Sequence, residues 1–148
     1  MQIQFIGGDE QGGAAIEAIE KLLRPLPQVG LHTAHVVNGG VCTRTIRIPA
    51  GTFLTGARTE KDHINVVHGD ITVTTPAGPL RIQGFHAFPV AAGHKRAGHT
   101  HADTYWTTIW RTDLTDVAAI EDEMTLESSQ LQTRREGIEF APKTELVA

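Results

Sequence analysis

Apolar positions in this chain recur with two different periods, and the change of period divides it into three parts. In residues 14–23, AAIEAIEKLL, Ile16, Ile19 and Leu23 fall at helical spacing with Glu17, Glu20 and Lys21 between them. That predicts a short helix with one apolar stripe, started by Gly12-Gly13 and ended by Pro25 and Pro27. From residue 41 the period falls to two. In VCTRTIRI, residues 41–48, Thr43, Thr45 and Arg47 share one face and Cys42, Arg44, Ile46 and Ile48 the other. The second face is the more apolar, so it is expected to point inward and to carry Arg44 with it.

Further strand-like runs follow at TFLTG, HINVVHG, DITVTT, LRIQG, HAFPV, HKRAGHT and TYWTTIWRT. Turn signals separate nearly all of them: Gly69-Asp70, Pro76-Ala77-Gly78, Gly84 and Ala92-Gly93. Short strands with regular punctuation predict an all-β sandwich or barrel, and the lack of strand–helix alternation argues against a parallel sheet. After residue 113 the pattern becomes helical again. Asp116 is a candidate N-cap for DVAAIEDEM, with Val117, Ile120 and Met124 on one face. ESSQLQTRREG is polar and weakly helical, and IEFAPKTELVA is a short apolar-polar tail. The expected organisation is a lead-in and helix over 1–30, a β-barrel over 31–113, and a helix and tail over 114–148. Ile138 and Phe140, apolar residues in that tail, are expected to dock on a neighbouring subunit or back on their own barrel.

The chain has 148 residues, which suits one domain with a core of its own. Its formal charge of −4 is spread over mixed signs, which excludes a basic nucleic-acid footprint. The apolar runs are too short for a bilayer, and MQIQFIGGDEQGG lacks the pattern of a signal peptide. Cys42, the one cysteine, can form no internal disulfide and reads as a small core residue.

Residues 51–69, GTFLTGARTEKDHINVVHG, have the skeleton of the first cupin motif, G-x5-H-x-H-x3/4-E-x6-G. Ala57 and Thr59 stand where two histidines would be, His63 at the glutamate, and Gly69 closes the motif one residue early. In the second stretch Gly84 and Gly93 are kept, Ala91 replaces a proline, Arg96 stands at the third histidine and Thr100 at the asparagine. The chain therefore resembles the cupin superfamily. Within it, residues 35–112 resemble small cupin-like proteins encoded by tailed bacteriophages. That resemblance rests on Gly93, Lys95-Arg96, Asp103-Thr104, Trp106 and Thr107-Thr108. Members usually keep a histidine near Ala57 or Thr59 and an aromatic near His99, and this sequence keeps neither.

The resemblance implies an all-β double-stranded β-helix, or jelly roll, a homo-oligomer, and a place in the host cytoplasm or the virion. With most metal ligands substituted, and a fixed cation at Arg96, the leading expectation is a non-catalytic protein acting by assembly or binding, with no cofactor. Other phage proteins are candidate partners; nucleic acid and membranes are not. The interface candidates are His99, His101, Trp106, Trp110, Ile138 and Phe140. One alternative is a cupin enzyme holding one Fe, Mn, Ni or Zn ion on a rebuilt site of His63, His99 and His101, with Asp103 either a further ligand or the acceptor of an Asx-turn to Tyr105. Strand parity opposes it: if Arg96 points inward, so do Gly98 and Thr100, and His99 and His101 point outward. The other alternative is a pocket in which Arg44, His63 and Arg96 hold a small anionic ligand. No nucleophile elbow or Walker loop is present.

Overall fold

The computed structural model describes residues 10–141. Helix α1 spans Glu10–Leu23 and stops before Pro25, as its apolar stripe predicts. It begins ahead of Gly12-Gly13, so the two glycines are absorbed into the first turns and do not mark the start. Ile16 is buried, whereas Leu22 is open to solvent.

Seven strands follow: β1 His32–Asn38, β2 Val41–Ile48, β3 Phe53–Thr55, β4 His63–Thr75, β5 Gly78–Val90, β6 Ala97–Thr100 and β7 Thr104–Arg111. Strand β1 was absent from the strand-like runs, and its partner explains it. It pairs antiparallel with β2 through a two-residue turn at Gly39 and Gly40, whose φ angles of 60° and 78° suit the twist of a hairpin.

All seven strands form one antiparallel sheet in the order β1-β2-β7-β4-β6-β3, with β5 on the other edge of β4. Strand β4 changes partner along its length. Residues 64–68 pair with β7, and residues 71–73 pair with β6. A long strand that hands its edge from one neighbour to another forces the sheet to curl, and an enclosed interior results.

The curl also corrects two expected turns. Gly69 and Gly84 do not end strands; they pair with each other in the middle of β4 and β5. Both have positive φ, 151° and 81°. At Gly69 the chain passes so close to β7 that a Cβ would lie 2.5 Å from Thr104 Oγ1. Glycine here marks a bend and a close approach inside a strand, and in sequence it looks the same as a turn.

The larger core cluster is Ile48, Val67, Ile71, Val73, Ile82, Phe88 and Val90. A second cluster, Cys42, Trp110, Ile120 and Met124, joins the sheet to α2, Val117–Met124. Asp116 caps α2 as predicted, its carboxylate accepting from Ala119 N–H at 3.0 Å. Val117 is exposed and does not share the buried stripe. A single 3-10 turn, Ser128–Gln130, follows. The tail then runs back along its own chain. Gln28 N–H donates to Glu139 C=O and Ala141 N–H to Gln28 C=O, both at 2.7 Å, and Gln132 Oε1 accepts from Leu31 N–H at 2.8 Å. Among the described residues, no helix is long and apolar enough to cross a membrane.

Candidate functional site

The inner face of the curled sheet lines a cavity of about 160 Å³. Its floor follows from strand parity and register. Arg44 on β2 lies opposite Thr108 on β7, and Thr108 lies opposite Asn65 on β4, so three polar side chains form one row across three strands. Beside them, Ile46, Trp106 and Val67 form the next row. Ala57, Thr59, His94 and Arg96 come from the segments around β3 and before β6; Glu121, Met124 and Thr125 come from α2 and its C-terminus.

The expected face of β2 is confirmed: Cys42 and Ile48 are buried, and Arg44 enters the cavity. The parity expected around Arg96 is confirmed too. Arg96 and Gly98 line the cavity and Thr100 is buried, while His99 and His101 are exposed. The three proposed pocket residues, Arg44, His63 and Arg96, therefore share one cavity. So do Ala57, Thr59, His63 and Arg96, the four positions where the cupin pattern would put metal ligands.

The cavity is electropositive. Burial lowers the Arg96 pKa to about 10, which leaves it charged at neutral pH. Its guanidinium carbon lies 5.4 Å from the Trp106 ring centroid, within reach of the π face. Burial lowers the Arg44 pKa as well, against the pull of Glu121, which holds it up. His63 Nδ1 lies 3.0 Å from Lys61 C=O. Burial pulls the His63 pKa below 6.5; the carbonyl opposes this, and Arg96 and His94 add to it. Neutral His63 then donates from Nδ1 and keeps Nε2 as an acceptor.

Glu121 is the buried acid of the site, at 4% exposure. It accepts from Thr133 Oγ1 at 2.9 Å and faces Arg134 at 3.5 Å and His35 at 3.9 Å. Four further buried polar atoms on the cavity wall have no hydrogen-bond partner among the described residues: Arg44 Nε, Thr59 Oγ1, Asn65 Oδ1 and Trp110 Nε1. Native proteins rarely leave such groups unanswered, because each costs about 1–3 kcal/mol when desolvated without a bond.

A metal ion does not fit this donor set. Of the four motif positions only His63 offers a ligand atom, and two guanidinium groups stand in the same cavity. Among the described residues, no three His, Cys, Asp or Glu side chains come together as a metal site. The rebuilt trio is separated. His63 is inside, while His99 and His101 are outside with ring centroids 5.1 Å apart, and His101 Nε2 lies 2.7 Å from Thr72 Oγ1.

Two other expectations are corrected. Trp106 and Trp110, named as interface residues, line the cavity, because their strand face is the inner one. Asp103 makes no Asx-turn to Tyr105: one oxygen accepts from Ala50 N–H at 2.9 Å and the other from Arg47 at 2.8 Å. Of the remaining interface candidates, Phe140 is half exposed and Ile138 partly buried. The residues missed from sequence are Asn65, His94 and Glu121. Asn65 was legible, being two positions from His63 on the same strand face. Nothing local marked His94 or Glu121.

No family model matches the chain, and no curated protein matches its sequence. Solved structures do. The chain is similar to a cupin superfamily protein from Desulfitobacterium hafniense, at 11% identity and a TM-score of 0.47 over 60% of this chain and 83% of the other. An RmlC-like cupin family protein with a double-stranded β-helix fold from Methanocaldococcus jannaschii gives 14% and 0.47, over 56% and 81%. A cupin domain from Bordetella pertussis gives 15% and 0.44, over 60% and 99%. The fold itself is an all-β curled sheet around a cavity, and what that cavity can hold is decided by this chain's own residues.

Proposed function

We propose that this chain is a binding protein that holds a small anionic ligand inside its barrel. The observation that carries the reading is the cavity wall itself. It joins two buried guanidinium groups, Arg44 and Arg96, to polar atoms that have no partner among the described residues. Guanidinium is the side chain best shaped to hold a carboxylate or phosphate. With about 160 Å³ available, the ligand is small. The test is a thermal-shift and calorimetric screen of small carboxylates and phosphates. Binding is expected to raise the melting temperature by mass action and to be lost in Arg96→Met. A screen in which no anion binds, or in which Arg96→Met binds as well as the parent, would sink the reading.

Self-assembly is a second reading, favoured by the outer face of the same sheet. Across five strands that face presents Val36, Ile64, Tyr105 and Phe85, all 49–69% exposed, with Arg47 and Arg111 at the two ends of the β2–β7 pair. A face with several exposed apolar side chains can meet a second copy of itself across a two-fold axis. Sedimentation velocity is expected to show a dimer that Ile64→Lys and Phe85→Lys dissociate; a monomer at high concentration would refute it.

A further inference from the structure

We infer that the ligand is a small hydroxycarboxylate with an apolar body about the size of a benzene ring. The inference rests on the anion reading above and adds a chemical class to it. Arg44 Nε and Trp110 Nε1 can only donate, so what faces them must accept. A carboxylate answers both. Asn65 Oδ1 asks for the opposite, a donor. If the amide is turned over, it offers a donor and asks for an acceptor; a hydroxyl answers either orientation.

The register places these demands close together. Arg44, Thr108 and Asn65 are neighbours across β2, β7 and β4, so the two ends of the row are about 10 Å apart at the backbone, given a strand spacing of about 4.8 Å. The arginine side chain spans much of that distance, which leaves room for a carboxylate and a hydroxyl on adjacent or nearly adjacent carbons. The apolar part of the wall comes from Ile46, Ile48, Leu54, Ile71, Val73 and Met124. The volume, about 160 Å³, compares with the roughly 150 Å³ of an engineered apolar cavity that takes up benzene. Two of the three polar residues of the argument are almost wholly enclosed, Asn65 at 2% and Trp110 at 3% exposure, so a ligand hydroxyl there would be sheltered from competing water.

Calorimetry with three probes tests this on the full chain. Mandelate carries the carboxylate, the hydroxyl and a phenyl body; phenylacetate lacks the hydroxyl; mandelamide lacks the charge. Mandelate is expected to bind about tenfold tighter than phenylacetate, the scale of one buried hydrogen bond. Mandelamide is expected to bind weakest. In Asn65→Leu the gap between the two acids is expected to close, with phenylacetate little changed. Asn65→Ser, which keeps a hydroxyl and leaves more room, serves if the leucine variant fails to fold, and is expected to narrow the gap. Equal binding of the two acids by the parent protein would overturn the hydroxyl inference and leave the anion reading standing. A gap that survives both Asn65 variants would overturn the assignment to Asn65. Binding of mandelamide as tight as mandelate would overturn both readings together, whereas binding of no probe would overturn the hydroxycarboxylate inference and leave the anion reading to the wider screen.

Discussion

Lys95 and Glu20 form an ion pair at 2.8 Å in which the lysine side chain is only 1% exposed. The same ammonium reaches Glu127 at 2.9 Å and Gly56 C=O at 3.1 Å. One buried cation thus joins α1, the segment before β6 and the tail beyond α2. Replacing it leaves two carboxylates facing each other with nothing between them. Lys95→Ala is expected to cost about 3–5 kcal/mol, the usual penalty for breaking a buried pair from one side. Glu20→Gln leaves Lys95 its second acid and is expected to cost less, with faster amide exchange confined to α1. Urea unfolding and hydrogen exchange check the two. Loss of protection spread evenly over the strands would mean that Lys95 does not act as the tie to α1.

Two histidines make stability fall in mild acid. Burial lowers the His63 pKa below 6.5. Burial and Arg44 lower that of His35, against Glu121. In the unfolded chain both take up protons as pH drops through 6.5, while in the folded protein they resist. The unfolded state therefore binds more protons, and stability declines from about pH 6.5 downward until the folded pKa values are reached. The slope is at most about 1.4 kcal/mol per pH unit for each histidine. Between pH 7 and 8 it is expected to be flat. Urea titrations at half-unit steps should show the decline, and His63→Gln should make it shallower. An unchanged slope in that variant would assign the effect elsewhere.

How much of this was legible follows from parity. Alternation along 41–48 sent Arg44 inward, and, given Arg96 inward, the two-residue step sent Gly98 and Thr100 inward and His99 outward, all as the structure has them. Parity also put Trp106 and Trp110 on one face, but not which face, because neither strand partner nor curvature is written locally. Glu121 lies beyond such reasoning. It reaches the cavity because α2 closes one end of the sheet, a relation fixed by Ile120 and Met124 packing on Cys42 and Trp110 about 80 and 10 residues earlier. Gly69 and Gly84 misled because a bend inside a strand and a turn between strands need the same residue.

Gly69 gives a stringent check of that bend. With φ at 151°, a Cβ would sit 2.5 Å from Thr104 Oγ1, 2.7 Å from Thr104 Cα and 2.8 Å from Asp103 C=O. Two of these atoms belong to backbone and cannot simply swing away. Gly69→Ala is expected to cost about 2–3 kcal/mol, the scale of strain at a position that excludes a side chain. Thermal unfolding measures it. A variant within about 0.5 kcal/mol of the parent would mean that β4 does not pass this close to β7.

Glu121 balances the cavity's charge, and removing it should trade stability for affinity. Its carboxylate faces Arg134 and His35 and holds up the Arg44 pKa. Glu121→Gln keeps the shape and an acceptor for Thr133 but deletes the negative charge. The cations around it then lose their partner, and the fold is expected to lose about 3 kcal/mol. The same change leaves the cavity more positive, so a carboxylate is expected to bind several-fold tighter, because its charge now takes over a role that Glu121 filled. The two effects are coupled: a saturating acid should restore more of the melting temperature in Glu121→Gln than it adds to the parent. Calorimetry and paired melts with and without ligand read both halves. Weaker binding in the variant would place Glu121 on the ligand itself, as an acceptor for its hydroxyl, instead of on the arginine that holds the acid.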